Sequence, residues 1–394
     1  MIYLDNAATT PMDSRVLEVV SESMRGDFAN PGAVYRLGLD AKNKVEAARE
    51  EIAGLLRLPS QFRIVFTSGG SESNNLFIKG LCFPGKKAAC LGLEHPSVTE
   101  ILDYFKGLGN EGPRLANREG RLNLDSIPVL KENRVRLLCL SHVNNELGAV
   151  NDPARILPAL TVGSPQTRLF LDGVQAVGKL AVKPEFWDGL AGYSISAHKI
   201  NGPKGIGLLV YDSRLTLTPL IHGGKQQSGL RSGTLPVPLI LGMAASIRLS
   251  IERLKETQDH LRILRRRLIE GLRDLASRVD NLDIRFNSST LDDVDVQSPA
   301  IVNFSFPPVE GEVLLHHLEE RDVFVGLGSA CSAYLREPSK ILTGIGLSED
   351  EARCSLRVSF GRQNTEDEID VFLREFARSY QTLYPTFRHK HAEK

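Results

Sequence analysis

A lysine and an acid, each at the end of an apolar run, are the residues in this chain best placed to do chemistry. Lys199 lies in Ser196-Ala197-His198-Lys199-Ile200-Asn201-Gly202-Pro203-Lys204-Gly205, where a strand-like run gives way to a glycine-rich turn. A lysine crowded at a strand end can lose its proton and condense with a carbonyl compound to a Schiff base. Taken alone it reads as a surface lysine, as most lysines do. Asp172 sits in Phe170-Leu171-Asp172-Gly173-Val174-Gln175, again after an apolar run. A buried carboxylate calls for a cationic partner; an ordinary Asp at a strand-to-helix turn is a helix N-cap. Thr67-Ser68-Gly69-Gly70-Ser71-Glu72 opens a further helix, and its small residues with free backbone N–H groups suit a phosphate. Phosphate turn, then acid, then lysine is a stronger signal than any one of the three. Pyridoxal phosphate answers all of them, because it joins a lysine Schiff base to an acid on its pyridine nitrogen.

The elements that must position these residues follow from the hydrophobic pattern. A helix is expected over Asp40–Arg57, where Val45, Ala48, Ile52 and Leu55 recur at helical spacing. Strands are expected at Phe62–Thr67, Ala88–Leu93, Val135–Ser141, Arg168–Asp172, Gly192–Ser196 and Ile206–Tyr211, with a helix from Glu72 to Lys79. Continuous apolar strands alternating with helices imply a buried, mostly parallel sheet. From about Pro238 to Val279 the pattern becomes long and helical, as in a connecting helix pair. It leads to a second region with strands near Ile284–Phe286, Ala300–Phe306 and Leu356–Phe360. Ser348 with Glu351 and Thr365 with Glu368 each fit a capping box.

Composition limits the function classes. The chain has 394 residues, 42% hydrophobic and 24% charged, which suits a globular protein of about two domains. Lys+Arg and Asp+Glu are both 48, so no net positive field favours a polyanion, and no direct nucleic-acid binding is expected. No apolar run reaches the roughly 18–20 residues that span a bilayer, and no membrane association is expected. Met1–Asp5 carry no basic-then-apolar leader, so a cytoplasmic protein is expected. The five cysteines, Cys82, Cys90, Cys139, Cys331 and Cys354, are odd in number and scattered, which is no disulfide framework and no metal site.

The motifs fall in an order that resembles one family along nearly the whole chain. They are Tyr3-Leu4-Asp5-Asn6-Ala7-Ala8-Thr9-Thr10-Pro11, Phe66-Thr67-Ser68-Gly69 with Glu72, and Asn144-Asn145-Glu146-Leu147-Gly148. Ser196 to Gly207, Arg231-Ser232-Gly233-Thr234-Leu235-Pro236, Gly328-Ser329-Ala330-Cys331 and Glu337-Pro338-Ser339 complete the set. The chain resembles the α/β, fold type I, pyridoxal-phosphate-dependent enzymes of the class V aminotransferase group. Within it, the chain resembles the cysteine desulfurases of the iron–sulfur-cluster type.

The resemblance implies a large domain over residues 13–255, with a mostly parallel central sheet, and a smaller α+β domain formed by residues 1–12 and 256–394. It implies that Lys199 carries the Schiff base, Asp172 pairs with the ring nitrogen and Gln175 bonds the ring hydroxyl. Gly70, Ser71, Ser196 and His198 would hold the phosphate, completed by Thr234 of the partner subunit, so a homodimer is implied. His95 would stack on the ring and take the substrate thiol proton. Asn145 and Arg357 would hold the substrate carboxylate. Cys331 would attack the sulfur of L-cysteine, become a persulfide, release L-alanine and pass sulfur to an acceptor protein. The remaining cysteines read as inert apolar residues. A selenocysteine lyase or an aminotransferase of the same fold would share Lys199, Asp172 and His95 without needing Cys331 as a carrier; retention of Lys199, Asp172 and Arg357 speaks against a non-catalytic scaffold.

Four departures from the family pattern stand out. Tyr35 and Phe170 fall where histidines are usual, and Lys225-Gln226-Gln227-Ser228-Gly229 lacks the usual Glu-Arg pair. Tyr334, Leu335 and Arg336 make the cysteine loop bulkier than usual.

Overall fold

Residues 1–82, 85–182, 184–328 and 337–388 are described in a computed structural model of the chain. The chain enters with a short strand β1 (Ile2–Tyr3) and helices α1 (Ser14–Gly26) and α2 (Arg36–Leu55). Helix α1 was not evident from the sequence; it begins at Asp13, whose carboxylate accepts the Arg15 N–H. Six strands then form the central sheet: β2 (Phe62–Thr67), β3 (Lys87–Ala89), β4 (Val135–Ser141), β5 (Arg168–Asp172), β6 (Leu190–Ser196) and β7 (Gly207–Asp212). Their spatial order is β2-β7-β6-β5-β4-β3. Strands β3 to β6 pair in parallel, and β7 runs antiparallel to both of its neighbours. The mostly parallel sheet is as expected, because strands buried on both faces read as unbroken apolar runs.

One strand is shorter than its sequence suggests. The run Ala88–Leu93 pairs only through Ala89; Cys90 makes a single bridge to Arg114, and the Leu93 carbonyl is taken by Asn144 Nδ2 at 2.9 Å. Helices α3 (Gly70–Cys82) and α4 (Pro96–Gly107) follow β2 and β3. The long helical stretch is two helices, α5 (Val237–Glu252) and α6 (Leu254–Arg278), meeting at Arg253.

Beyond α6, strands β8 (Arg285–Phe286), β9 (Ile301–Ser305) and β11 (Ser355–Ser359) form an antiparallel sheet, while β1 pairs with β10 (Val323–Phe324). Its apolar residues pack with Leu4, Ala7 and helices α7 (Gly311–Glu319) and α8 (Glu366–Phe387). The N-terminal segment thus leaves this region and returns over the large sheet. Both expected capping boxes are formed, at Ser348–Glu351 and Thr365–Glu368.

The Phe170 departure has a packing explanation. Its ring stacks on Phe77 of α3 with centroids 4.6 Å apart, so the position is fully apolar and core-facing. Gln227 has a structural task as well: its amide pairs with both the N–H and the C=O of Phe66, at 2.7 and 2.8 Å, along edge strand β2.

Candidate active site

Strands β4, β5 and β6 end at Ser141, Asp172 and Ser196, and a cavity of about 230 Å³ lies just beyond these ends. That is where ligands sit in open α/β sheets. The cavity is lined by Gly70, Ser71, His95, Asn145, Asp172, Gln175, Ser196, His198, Lys199 and Arg357, all singled out from the sequence. Ala7, Ala8, Ser97, Ser141, Val143 and Val174 also line it and were not. Thr234 is exposed and lies outside this lining, and Cys331 falls outside the described residues.

One wall is the start of α3. A Cβ on Gly70 would lie 2.6 Å from Val174 Cγ2, so only glycine lets this helix end close on Val174. The free N–H groups there suit an anionic group. Glu72 braces the turn by accepting the Ser68 N–H at 2.7 Å and pairing with Arg231 at 2.9 Å.

Asp172 is buried and held from several sides. Its Oδ1 accepts the Val174 N–H at 3.0 Å and the Ser194 hydroxyl at 3.3 Å, and its Oδ2 accepts Asn74 Nδ2 at 2.8 Å. Asn74 also donates to Ser97 Oγ at 2.9 Å, while its own Oδ1 is buried without a partner among the described residues.

Lys199 follows β6 in a single short turn, Ala197–Lys199. The N-terminal segment straps this turn: Thr10 donates its N–H and its hydroxyl to the His198 carbonyl at 2.9 and 2.8 Å, and Asn201 N–H donates to Thr10 Oγ1 at 2.8 Å. The strap brings the Ala7 and Ala8 carbonyls to 2.5 and 2.6 Å from Lys199 Nζ. Burial first, then the nearby Arg357 and Lys179 cations, hold the Lys199 amine down to about 7. Lys179 is itself buried and lowered to about 8, with its Nζ 3.4 Å from Gln175 Oε1. Gln175 in turn donates to the Ala7 carbonyl at 2.8 Å. Burial lowers His198 to about 4, leaving it a neutral ring beside Lys199.

The opposite wall is Arg357, in the middle of β11 and 2% exposed in its side chain. Its Nη2 pairs with Asp5 at 2.7 Å and its Nη1 donates to the Asn145 carbonyl at 2.9 Å. A Cβ on Gly326 would lie 2.6 Å from Asp5 Oδ1, so this glycine makes room for the ion pair. Arg357 Nε is buried and has no partner among the described residues. A guanidinium at a cavity wall suits an anion such as a carboxylate.

His95 is the N-cap of α4, followed by Pro96 at the first helical position. Its Nδ1 accepts the Ser97 N–H at 3.1 Å and lies 2.9 Å from Ser97 Oγ. Burial lowers its pKa. The preceding Glu94 is fully buried and accepts both the Ser141 N–H, at 2.5 Å, and the Ser141 hydroxyl; burial raises it to about 7.

Among the residues the sequence reading missed, Asp5, Ala7 and Ala8 lie inside the Tyr3–Pro11 motif, so a signal was present without an assigned role. Asn74 and Ser97 had none. The four described cysteines, Cys82, Cys90, Cys139 and Cys354, are all buried and unpaired, as expected.

Comparisons with known proteins bear on the family. The family model for aminotransferase class V matches residues 2–372. The cysteine desulfurase IscS of Vibrio cholerae serotype O1 is 38% identical over 382 residues, covering 94% of this chain and 90% of its own. A solved NifS-like protein superposes with a TM-score of 0.86 at 29% identity, over 97% of this chain and all of its own. SspA, solved in complex with cysteine, is 32% identical with a TM-score of 0.74, over 91% of this chain and 99% of its own.

Proposed function

This chain belongs to the class V aminotransferase family, and from that premise we propose that it is a cysteine desulfurase. It converts L-cysteine to L-alanine and carries the released sulfur as a persulfide on Cys331 to an acceptor protein. One observation carries the reading: Lys199, Asp172 and Arg357 line one cavity.

Pyridoxal 5′-phosphate fits the residues present. Gly70 and Ser71 at the start of α3, with Ser196 and His198, form the phosphate cradle. Asp172 would face the ring nitrogen, Gln175 the ring hydroxyl, and Lys199 the aldehyde carbon. When bound, the cofactor supplies an electron sink for the substrate's α-carbon. The protein's own residues do the rest. Arg357 and Asn145 hold the substrate carboxylate. Lys199, with an amine near 7, both takes and returns the Cα proton at physiological pH. The Cys331 thiolate bonds to the substrate sulfur as the substrate's Cβ–S bond breaks. That bond's electron pair stays with carbon, which gains a proton to complete alanine.

A homodimer accounts for Thr234, which stands exposed and away from the cavity of a single chain, where Thr234 of the partner subunit would complete the phosphate site. The division into residues 13–255 and residues 1–12 with 256–394 is part of this proposal; it is supported by Leu4 and Ala7, which pack in one core with β9, β11 and α8. Among the described residues no helix is long and apolar enough to cross a membrane. The sulfur is destined for iron–sulfur clusters or another sulfur-containing product.

The test is the absorption spectrum of the protein with pyridoxal 5′-phosphate, before and after L-cysteine, with alanine and sulfide assayed. A cofactor band that responds to cysteine with alanine formed is expected, and Cys331→Ala should keep the band and form no alanine. A band with no alanine refutes the reaction, and no band refutes the cofactor.

A further inference from the structure

The hydrogen bonds around His95 determine which of its ring nitrogens carries the proton. Asp172 Oδ2 accepts a hydrogen bond, so the group facing it at 2.8 Å must be the Asn74 amide nitrogen and not its oxygen. The second hydrogen of this nitrogen points to Ser97 Oγ, 2.9 Å away. Ser97 Oγ is thereby an acceptor from Asn74, and its own hydrogen is directed at His95 Nδ1, 2.9 Å away. The Ser97 backbone N–H, which can only donate, reaches the same Nδ1 at 3.1 Å. Two donors converge on Nδ1, so Nδ1 holds the lone pair. Protonating it would set N–H against N–H and undo the cap of α4. The proton of the neutral ring is therefore on Nε2, which has no partner among the described residues.

We propose that Asn74 and Ser97 are positioning residues that lock His95 as the Nε2–H tautomer, making it a hydrogen-bond donor to the substrate sulfur and not a base for its thiol. This rests on the desulfurase reading above and reverses the proton-accepting role that the family resemblance implied for His95. The chain runs from Asp172 through Asn74 and Ser97 to His95, so the acid that would face the ring nitrogen also orients the group that would meet the sulfur. A donor held in advance costs little reorganisation when negative charge appears on sulfur.

The experiment is a two-bond proton–nitrogen correlation spectrum of protein carrying ¹⁵N-labelled histidine, with and without bound pyridoxal 5′-phosphate at neutral pH. His95 is assigned by the signal lost in His95→Gln. The expected pattern is a protonated Nε2 and an unprotonated, hydrogen-bonded Nδ1; a protonated Nδ1 overturns the proposal. Ser97→Ala, which removes the hydroxyl donor and keeps the backbone one, should move the Nδ1 resonance toward the free-ring position, and an unmoved resonance overturns the chain. In turnover, His95→Gln keeps an N–H donor and should stay within about tenfold of the parent. His95→Ala should lose roughly a hundredfold or more; equal losses in the two variants overturn the donor role. A parent protein that forms no alanine defeats the desulfurase reading instead, and the tautomer spectrum is then decided on its own.

Discussion

Lys199 should react with aldehydes at neutral pH as an ordinary lysine does not. Burial is the main reason, with Arg357 and then Lys179 as the neighbouring cations that oppose its protonation. With the amine at about 7, half of it is neutral at pH 7. A lysine at its ordinary value of 10.5 has about one molecule in 3,000 neutral at that pH. The reactive form is thus enriched roughly a thousandfold. The assay is reductive trapping: cofactor-free protein is exposed briefly to pyridoxal 5′-phosphate, reduced with borohydride, and mapped by peptide mass at several pH values. Modification at Lys199 should rise with pH with a midpoint near 7. Removing a neighbouring cation eases protonation, so Arg357→Met and Lys179→Met should each move the midpoint upward. A parent midpoint above about 9 would refute the argument from burial. A midpoint that stays put in both variants would refute the part assigned to the two cations.

Lys179→Met should stabilise the cofactor-free protein. The unfolded lysine, at 10.5, binds a proton that the folded one, at about 8, gives up, so the parent gains stability as pH climbs through that window and carries the full penalty below it. The variant's advantage is at most about 3 kcal/mol below pH 8 and vanishes near 10.5; denaturant melts across that range check it, and an advantage independent of pH refutes it. Gly70→Ala forces a methyl against Val174, 2.6 Å from Cγ2, and should weaken cofactor binding about ten- to a hundredfold in an absorbance titration. Arg357→Lys replaces the planar fork with a point charge, so KM for L-cysteine should rise roughly tenfold to a hundredfold while the cofactor band stays. An unchanged KM would place the substrate carboxylate elsewhere.

Much of this protein was legible in its sequence. Strands buried on both faces leave unbroken apolar runs, which is why Val135–Ser141 and Arg168–Asp172 match the sheet to the residue. The capping boxes at Ser348 and Thr365 are local hydrogen-bond patterns and form as read. Lys199, Asp172 and the Gly70 turn carry their chemistry in their side chains or in a local turn, so ordering them along the chain was enough to expect one site. What the tertiary structure alone decided are contacts between distant segments. The carbonyls of Ala7 and Ala8 on Lys199 are backbone atoms that every residue possesses, and their 192- and 191-residue separations from the lysine leave no spacing to read. The pairing of Asp5 with Arg357, 352 residues apart, is equally silent until the segment after β1 is brought against β11. The state of His95 depends on Ser97 beside it and on Asn74, 23 residues before Ser97, whose amide is oriented in turn by Asp172. A residue's type is written in the sequence, but which of its atoms donates or accepts depends on the neighbours that folding supplies.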